Sequence, residues 1–442
     1  MNQQSKIFLW ALSAALGGFL FGFDTAVISG VEQTLQKLWN LSVFEHGVTV
    51  SIALVGTVLG SLIGGVPAEK YGRKITLIMV AILYLLASLG TAVALEWTTF
   101  LIFRFLGGLG VGVSSVIAPM YISEIAPPAK RGRLVAMFQF NVVFGILMAY
   151  LSNYLLTDIG INAWRWMLGV QAFPSVIFLI TAISIPESPR WLILKKGNVM
   201  MARKTLMIID SSSAEEVIHA IQKQANQRNT QNFTLLFKAA YRKPVLLAVL
   251  FAVFNQVSGI NAIIYFAPRI FEMAGLGKDS ALLSSAGIGL INLVSTLLGI
   301  SLIDKFGRKV LMFYGSIGLI ASLTLVAQAF FSGNIGINVS FYLFFYIAFF
   351  GFSQGAVIWV FISEIFPNEV RAYGQALGSF THWILATIIT FTFPYLAETF
   401  GGGITFSFFA LMMMLQLLFV WRFMPETKGT SLEGVEKALV LH

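Results

Sequence analysis

The sequence predicts an all-α membrane protein of twelve transmembrane helices, arranged as two related, pseudo-symmetric six-helix bundles. Three observations lead to this fold class: the composition is strongly apolar, long apolar runs recur along the whole chain, and three motifs repeat in both halves. Of the 442 residues, 57% are hydrophobic and 11% are charged, and the mean hydropathy is +0.81. Soluble domains carry about 25% charged residues, so most of the surface is expected to face lipid.

The apolar runs are long enough to cross a bilayer, since a helix needs about 20 residues to span the hydrocarbon core. Lipid offers the backbone no hydrogen-bond partners, so these runs are expected to be helical. The first run is followed by many others, which distinguishes it from a cleaved signal peptide. The predicted spans are residues 7–29, 47–68, 75–95, 98–121, 134–156, 164–185, 244–272, 281–303, 311–331, 338–363, 372–396 and 402–424.

Lys and Arg predict the side on which each connection lies. All but five of the 29 basic residues occur at the N-terminus, in the even-numbered connections or in the tail. The opposite side holds Lys37, Arg165, Arg269 and Lys278, and Arg104 lies inside a span. By the positive-inside rule, both termini are expected to be cytoplasmic. The basic residues form short clusters between apolar spans, which argues against a nucleic-acid partner despite the net charge of +9.

The longest polar segment is predicted to be a cytoplasmic helical linker. It contains helix-compatible stretches at residues 202–210 and 214–227, and it is too short and irregular for an enzyme domain. The predicted domains are an N-terminal bundle at 1–194, this linker at 195–242, a C-terminal bundle at 243–425 and a short cytoplasmic tail at 426–442.

Three motifs of the first half return in the second half in the same order and at a nearly constant offset. They are Glu69-Lys-Tyr-Gly-Arg-Lys74 with Asp304-Lys-Phe-Gly-Arg-Lys309, Tyr121-Ile-Ser-Glu-Ile-Ala-Pro127 with Phe361-Ile-Ser-Glu-Ile-Phe-Pro367, and Pro186-Glu-Ser-Pro189 with Pro425-Glu-Thr-Lys428. The chain is therefore predicted to be a duplicated six-helix unit. Two such halves can expose a central site to each side of the membrane in turn.

The repeated motifs carry acidic and basic residues at predicted cytoplasmic helix ends. Charge pairs across the cytoplasmic seam would hold the inner side of a carrier closed. The alternative is ordinary interfacial charge that anchors helix ends. The candidates for this cytoplasmic gate are the acidic Glu69, Asp304, Glu124 and Glu364, with the basic Arg73, Arg308, Arg131 and Arg371 as partners.

Taken in this order, the motifs resemble the major facilitator superfamily, and several more resemble its sugar porter branch. These are Gly22-Phe-Asp-Thr-Ala-Val-Ile-Ser-Gly30, Pro186-Glu-Ser-Pro-Arg-Trp-Leu192, Gln256-Val-Ser-Gly-Ile-Asn261 with Tyr265, and Pro425-Glu-Thr-Lys-Gly429. The resemblance covers essentially the whole chain. It implies the major facilitator fold and a monosaccharide or related polyol as the solute, with no bound metal or organic cofactor.

Polar and aromatic side chains inside the predicted spans suit a sugar. Amides donate and accept hydrogen bonds, and an indole offers a flat surface to the sugar ring. The resemblance implies that the substrate contacts are Gln139, Asn255, Gln256, Asn261, Tyr265, Asn292, Trp359, His382 and Trp383. The alternative for each amide is an interhelical hydrogen bond worth about 1 kcal/mol, and for each Trp it is simple packing.

The chain departs from the sugar porter pattern in spans seven, ten and eleven. Asn255-Gln256 stands where many members have two Gln residues, and His382 stands where relatives often have an amide. Span ten lacks Gly-Pro repeats before Trp359, so it is expected to bend less sharply. Gly259 is expected to permit local unwinding that brings Gln256 towards the face of Asn261.

Two ionisable residues inside the spans suggest how transport is coupled. Asp24 lies in span one and Arg104 in span four, and intramembrane charges are functional candidates by default. A carboxylate whose proton affinity depends on conformation can bind a proton on one side and release it on the other. The resemblance implies proton-coupled transport, because facilitative members typically carry Asn at the position of Asp24. The alternative is a permanent ion pair and a proton-independent uniporter.

Other function classes find less support in the residues. A non-sugar exporter would lack the Gln–Gly–Asn pattern of span seven, and a sugar sensor would carry a long signalling tail. No nucleophile–base arrangement or phosphate loop points to an enzyme, Cys is absent, and the four His residues lack metal-ligand spacing. We expect a transporter that functions as a monomer in the lipid bilayer, and its short loops favour a bacterial inner membrane.

Overall fold

The structure of the protein, a computed structural model, describes residues 3–127, 130–226, 233–367 and 369–428. The regular structure in these ranges is helical. A helix satisfies its own backbone hydrogen bonds, which lipid cannot provide. The α-helices before residue 230 are α1 (Gln3–Val27), α2 (Glu32–Leu38), α3 (Val43–Ile63), α4 (Gly65–Tyr71), α5 (Arg73–Val93), α6 (Trp97–Ile125), α7 (Arg131–Leu156), α8 (Ala163–Gly169), α9 (Ala172–Ser184), α10 (Pro189–Lys196), α11 (Val199–Ile209) and α12 (Ala214–Asn226).

The helices after residue 230 continue the same pattern. They are α13 (Arg242–Val257), α14 (Ile260–Met273), α15 (Lys278–Phe306), α16 (Arg308–Ser332), α17 (Ile337–Phe350), α18 (Ala356–Glu364) and α19 (Arg371–Arg422). Short 3₁₀ helices occupy Ile28–Gly30, Phe233–Phe237 and Ala239–Tyr241, and Gly351–Gly355 is π-helical.

Eleven helical segments in the described ranges are long and apolar enough to cross a membrane. The last of them, Arg371–Arg422, is 52 residues long and contains two of the predicted spans. Its backbone leaves the helical region at Gly401, where φ is 76° and ψ is 169°. This break lies between the predicted spans 372–396 and 402–424, so the twelve predicted spans are confirmed.

Span seven is interrupted at Ser258–Gly259, between α13 and α14. Gly259 has a φ of +86°, and a Cβ atom there would lie 2.6 Å from the ring of Phe409. Only glycine fits this conformation and this space. The unwinding predicted for span seven is therefore confirmed.

Span ten also departs from a regular helix, in a way that the sequence analysis does not predict. The π-helical turn at Gly351–Gly355 joins α17 to α18. A Cβ atom at Gly351 would overlap the side chain of Ser295 on α15, so the two helices approach closely there. The wider turn of a π-helix, with hydrogen bonds from residue i to i+5, interrupts the regular α-helix at this contact without any proline.

The chain forms two compact units. Within the described ranges, the first unit comprises Met1–Thr25, Ile52–Ala149 and Leu156–Thr230. The second comprises Ala26–Ser51, Tyr150–Leu155 and Gln231–His442. The helices α11 and α12 of the predicted linker thus belong to the first unit. Two segments from the first half of the sequence, around residues 26–51 and 150–155, pack with the helices of the second half.

Each unit has a buried aromatic core and an apolar exterior. Phe100, Phe178 and Tyr84 are fully buried in the first unit, and Phe251 stacks on Phe361 with ring centroids 5.0 Å apart in the second. Many Leu, Ile and Phe side chains on the outer helix faces are exposed. A large apolar exterior of this kind is expected where lipid is the solvent.

Candidate functional site

Three predicted substrate residues form a connected row of amides in the second unit. Gln256 is buried at the end of α13, and its Nε2 donates to Oδ1 of Asn255 at 3.0 Å. Its Oε1 accepts a hydrogen bond from Nδ2 of Asn261 at 2.6 Å. Residues five apart do not share a face of a regular helix, so the second bond depends on the break at Gly259.

His382 joins this amide row to two tryptophans. Nε2 of Gln256 lies 3.1 Å from Nδ1 and 3.2 Å from Nε2 of the imidazole. The ring centroid of His382 lies 4.9 Å from that of Trp359 and 4.9 Å from that of Trp383. Trp359 is 37% exposed, whereas His382 and Trp383 are buried. The second unit therefore places hydrogen-bonding amides next to flat aromatic surfaces.

The remaining predicted substrate residues are less directly connected. Tyr265 on α14 and Asn292 on α15 are buried in the second unit, and Oδ1 of Asn292 accepts from Oγ1 of Thr296 at 3.4 Å. Gln139 is half-buried on α7 in the first unit. The structure thus brings together six of the nine predicted residues. These six are Asn255, Gln256, Asn261, Trp359, His382 and Trp383.

The two intramembrane charges form an ion pair within the first unit. Nη1 of Arg104 on α6 donates to Oδ1 of Asp24 on α1 at 2.8 Å. The two side chains are 2% and 6% exposed, respectively. Arg104 also places Nη2 3.5 Å from the backbone oxygen of Asp24. A buried pair of this kind leaves an uncompensated charge if either partner is removed.

Gln171 is a neighbour of this ion pair that the sequence reasoning missed. It precedes α9 in span six, is almost fully buried, and faces the carboxylate of Asp24 in the first unit. The signal that selected the other amides, a neutral amide inside a predicted span, also applies to Gln171.

The repeated motifs meet in space within each unit. In the first unit, Nε and Nη2 of Arg73 donate to the two carboxylate oxygens of Glu124, each at 3.0 Å. Ser188 donates its hydroxyl to the same carboxylate. Glu187 accepts the backbone N–H groups of Arg73 at 2.9 Å and Lys74 at 3.2 Å.

The second unit repeats this arrangement with the corresponding residues. Arg308 donates to both oxygens of Glu364 at 3.1 and 2.7 Å, and Oγ1 of Thr427 donates to Glu364 at 2.6 Å. Glu426 accepts the backbone N–H groups of Arg308 and Lys309, each at 3.0 Å. The sequence shows three separate motifs in each half, and the fold joins them into one cluster, which we call the motif cluster of each unit.

The geometry shared by the two motif clusters explains why each Gly-Arg-Lys turn contains a glycine. Gly72 and Gly307 have φ values of 101° and 94°, and a Cβ atom at either would overlap a carboxylate, that of Glu187 or that of Glu426. Each carboxylate caps the N-terminus of the following helix, α5 or α16, where unsatisfied N–H groups favour negative charge.

The two capping carboxylates differ in proton affinity. Burial raises the pKa of the Glu187 carboxyl above its usual value, although N–H groups of Ser188, Lys74 and Arg73 oppose this. Burial acts in the same direction on Glu426. There the N–H groups of Lys428, Arg308 and Lys309 outweigh it and lower the pKa of the Glu426 carboxyl.

Among the other predicted gate residues, Asp304 makes the expected pair with Arg308, whereas Glu69, Arg131 and Arg371 make different contacts. Glu69 pairs with Lys195 at 2.5 Å, and Asp304 pairs with Arg308 one turn away at 3.0 Å. Arg131 and Arg371 donate their Nε atoms to the backbone oxygens of Ser123 at 3.1 Å and Phe366 at 3.2 Å. The ion pairs formed by these motifs lie within a unit, because the partners Glu124 and Glu364 are taken by Arg73 and Arg308.

Comparison with known proteins gives matches along nearly the whole chain. Residues 10–439 match the family described as "Sugar (and other) transporter". The chain is 35% identical to the D-xylose-proton symporter of Escherichia coli (strain K12), with 99% of this chain and 97% of that protein covered. It is 36% identical to the arabinose-proton symporter of Bacillus subtilis (strain 168), with coverage of 99% and 96%.

The fold has a close match among solved structures. A partially occluded inward open conformation of the xylose transporter XylE from E. coli matches with a TM-score of 0.86 and 33% sequence identity. The match covers 97% of this chain and 100% of that chain. These relatives are membrane transporters and not enzymes. The chain therefore belongs to the sugar transporter family of the major facilitator superfamily.

Proposed function

We propose that this protein imports a monosaccharide together with a proton by alternating access. The observation that carries the proposal is the buried ion pair between Asp24 and Arg104, 2.8 Å long and inside the predicted spans one and four. A charged pair in the membrane interior is costly and is usually retained for ion or proton movement. The alternative is a facilitative uniporter in which the pair only ties two helices together.

The sugar assignment is supported by the amide row and its aromatic neighbours. Asn255, Gln256 and Asn261 offer donors and acceptors that match sugar hydroxyls. Trp359 presents an indole face to which the weakly polar face of a sugar ring can pack. His382 lies between the amides and the tryptophans, and it can bond a hydroxyl through either ring nitrogen. Gln139, Tyr265 and Asn292 remain predicted contacts.

Proton coupling follows from the chemistry of the ion pair. While Asp24 is ionised, Arg104 is neutralised and the two helices are held together. Protonation of Asp24 removes the partner charge and releases Arg104. A carboxylate that changes partner during the cycle can therefore carry one proton per turnover. Two relatives, a D-xylose-proton symporter and an arabinose-proton symporter, support this mechanism.

We further propose a bacterial inner membrane location, with both termini in the cytoplasm and the monomer as the functional form. The motif clusters then lie at the cytoplasmic ends of the spans. Arg73 and Arg308, each bidentate to a glutamate, would form part of the inner gate by holding helix ends in place. The bias of Lys and Arg towards one set of connections supports this orientation.

Uptake into proteoliposomes tests the proposed function. The labelled panel contains xylose, arabinose, glucose, galactose, fructose and myo-inositol, with and without an inward proton gradient. Accumulation of one sugar above equilibrium, abolished by a protonophore, is the expected result. Equilibration that ignores the gradient would make the protein a uniporter, and no uptake of any panel member would point to a non-sugar solute.

The Asp24→Asn substitution is expected to abolish accumulation and to spare sugar exchange, because Asn cannot titrate but keeps the size of the side chain. Counterflow of labelled sugar without a gradient measures exchange. The matched control is Asp158→Asn, which makes the same chemical change at an exposed position. Loss of both accumulation and counterflow in Asp24→Asn alone would assign Asp24 a structural role.

A further inference from the structure

The proposed transport cycle leaves one group of charged side chains in the second unit unused. It consists of Glu32 on α2, His46 on α3, Arg269 on α14 and Glu398 on α19. The side chains of Glu32 and His46 are 0% exposed, and Nε2 of His46 lies 2.6 Å from Oε2 of Glu32. Burial of two titratable groups costs free energy unless they are paired. The close approach of Glu32 and His46 offsets part of this cost.

Arg269 connects this pair to the rest of the group. Its Nη1 lies 3.3 Å from Oε2 of Glu32 and 3.2 Å from Oε1 of Gln36. The same Nη1 lies 3.3 Å from Nδ1 of His46. Its Nη2 donates to Oε1 of Glu398 at 2.8 Å. One guanidinium therefore holds α2, α3 and α19 against α14.

These contacts determine the protonation state of His46 in this arrangement. Nε2 of His46 lies within ion-pair distance of the Glu32 carboxylate, at 2.6 Å. The guanidinium of Arg269 can only donate, so Nδ1 of His46 accepts. The imidazole is therefore neutral and carries its proton on Nε2. A second proton would be placed on Nδ1, where it would face the N–H of Arg269.

The group also contains the means to respond to that second proton. An imidazolium neutralises Glu32 by itself, so Glu32 no longer needs Arg269. The guanidinium then retains Glu398 as its partner, and the link from α14 to α2 and α3 is lost. Glu398 is 38% exposed, so this partner can hold Arg269 at the surface.

Other charged groups near His46 have partners of their own. Glu272 on α14 accepts Nε2 of Gln33 at 2.9 Å, and Glu45, next to His46, accepts the hydroxyl of Ser42 at 2.7 Å. Lys37 lies one turn beyond Gln33 on α2. The edge of the His46 ring packs on Phe266 with centroids 6.0 Å apart. Glu32 and Arg269 are therefore the charges that contact the imidazole directly.

We propose that His46 is a second proton-binding site, and that its protonation opens the predicted outer side of the transporter by releasing α2 and α3 from Arg269. The elements that it joins come from the two halves of the sequence, since α2 and α3 follow span one and α14 and α19 belong to spans seven, eleven and twelve. Low external pH then favours the state that can load sugar from outside. The proton at His46 returns to the outer side and is separate from the proton carried by Asp24.

Thiol labelling tests this proposal directly, because the chain contains no Cys. Val50→Cys places a reporter one turn after His46 at a fully buried position, and Leu38→Cys provides an exposed reference on α2. A membrane-impermeant maleimide labels each variant in right-side-out membrane vesicles, without sugar or gradient. The ratio of the two labelling rates removes the effect of pH on maleimide chemistry. Because neither sugar nor gradient is present, the result does not depend on the proposed symport.

With His46 present, we expect the ratio to rise at least about threefold between about pH 7.5 and pH 5.5. The ratio should stay constant in His46→Gln, and the matched control His219→Gln should behave like the parent. Arg269→Gln should give a high ratio at both pH values, which tests the same link if His46→Gln is not recovered in membranes. A pH-independent ratio with His46 present, or an unchanged rise in His46→Gln, would overturn the proposal.

Discussion

At the scale of single residues, Gln256 contacts three of the other predicted substrate residues. Its amide bonds Asn255 on one side and Asn261 on the other, and it contacts the ring of His382. The family resemblance predicts that these residues contact sugar, but the residues alone do not predict that they contact each other. The three amides bond one another in the structure, so a sugar hydroxyl that binds here as proposed would replace some of these bonds. The proposed sugar affinity would then depend on how many of the exchanged bonds are recovered.

Replacing Gln256 with Ala is expected to weaken sugar binding by about tenfold or more, since one or two hydrogen bonds to hydroxyls are lost. Isothermal titration of the purified protein measures the dissociation constant. Gln416→Ala is the matched control, because Gln416 is an equally buried amide that bonds Gln354 and Ser316 at 2.8 Å each. The control should lower the thermal stability and leave sugar affinity unchanged. Equal affinities in both variants would remove Gln256 from the site.

The two capping carboxylates give predictions of opposite sign. The lowered pKa of Glu426 means that its ionised form stabilises the fold above its usual pKa of 4.5, and that this contribution is lost as the pH falls through the folded-state pKa. The raised pKa of Glu187 means that its ionised form costs stability at neutral pH, a cost removed as the pH falls.

Thermal unfolding in detergent at pH 7 and at lower pH tests this difference. We expect Glu426→Gln to be less stable than the parent at pH 7, with a difference that shrinks on acidification. Glu187→Gln should equal or exceed the parent at pH 7 and lose that advantage at lower pH. The same sign for both variants would contradict the assignment of different pKa shifts to the two motif clusters.

At the scale of helices and turns, three of the departures from regular helix each have an identifiable local cause. The break in span seven needs the positive φ of Gly259, and the break before span twelve occurs at Gly401. The π-helical turn of span ten lies where Gly351 packs closely against Ser295. The absence of Gly-Pro repeats led to the expectation of a straighter span ten. The π-helical turn is a departure of another kind, and the sharpness of the bend in span ten stays a prediction.

The Gly-Arg-Lys turn is expected to tolerate no side chain at its glycine. Gly72→Ala should destabilise the protein by about 1–3 kcal/mol, because a side chain at positive φ is strained and here also overlaps Glu187. Gly65→Ala is the matched control, since an added Cβ meets nothing within 4 Å at this helical position. The control should be neutral or slightly stabilising. Thermal unfolding of both variants measures the difference, and equal stability would mean that the turn can relax around the added methyl group.

At the scale of the whole molecule, the two halves of the chain contain equivalent motif clusters. The corresponding motif clusters, with Arg73 and Glu124 in one unit and Arg308 and Glu364 in the other, have the same bonds. This equivalence supports the predicted duplication at the level of atoms. The segments around residues 26–51 and 150–155 pack with the second unit although they precede residue 194. Connectivity along the chain and compactness in space therefore divide the protein differently.

The predicted orientation can be checked with single cysteines in this Cys-free chain. Cysteine at His219, an exposed position on α12, should react with an impermeant maleimide only in inside-out vesicles. Cysteine at Leu38 should react only in right-side-out vesicles. The reverse pattern would invert the topology, and labelling of both from one side would contradict the five spans predicted between Leu38 and His219.

The sequence alone determined the helical class, the twelve spans and the duplication, and its resemblance to the sugar porter branch implied the candidate residues for sugar and proton. These properties follow from hydrophobic length, residue type and order, which the bilayer and the backbone translate directly into helices. Only the tertiary structure decided which residues meet. It joined Glu187 and Glu426 to motifs over a hundred residues away, turned Arg131 and Arg371 towards backbone carbonyls, and buried His46 against Glu32 and Arg269. Such pairings depend on helix packing, in which small differences of position decide the partner of each charge, and one-dimensional spacing does not contain them.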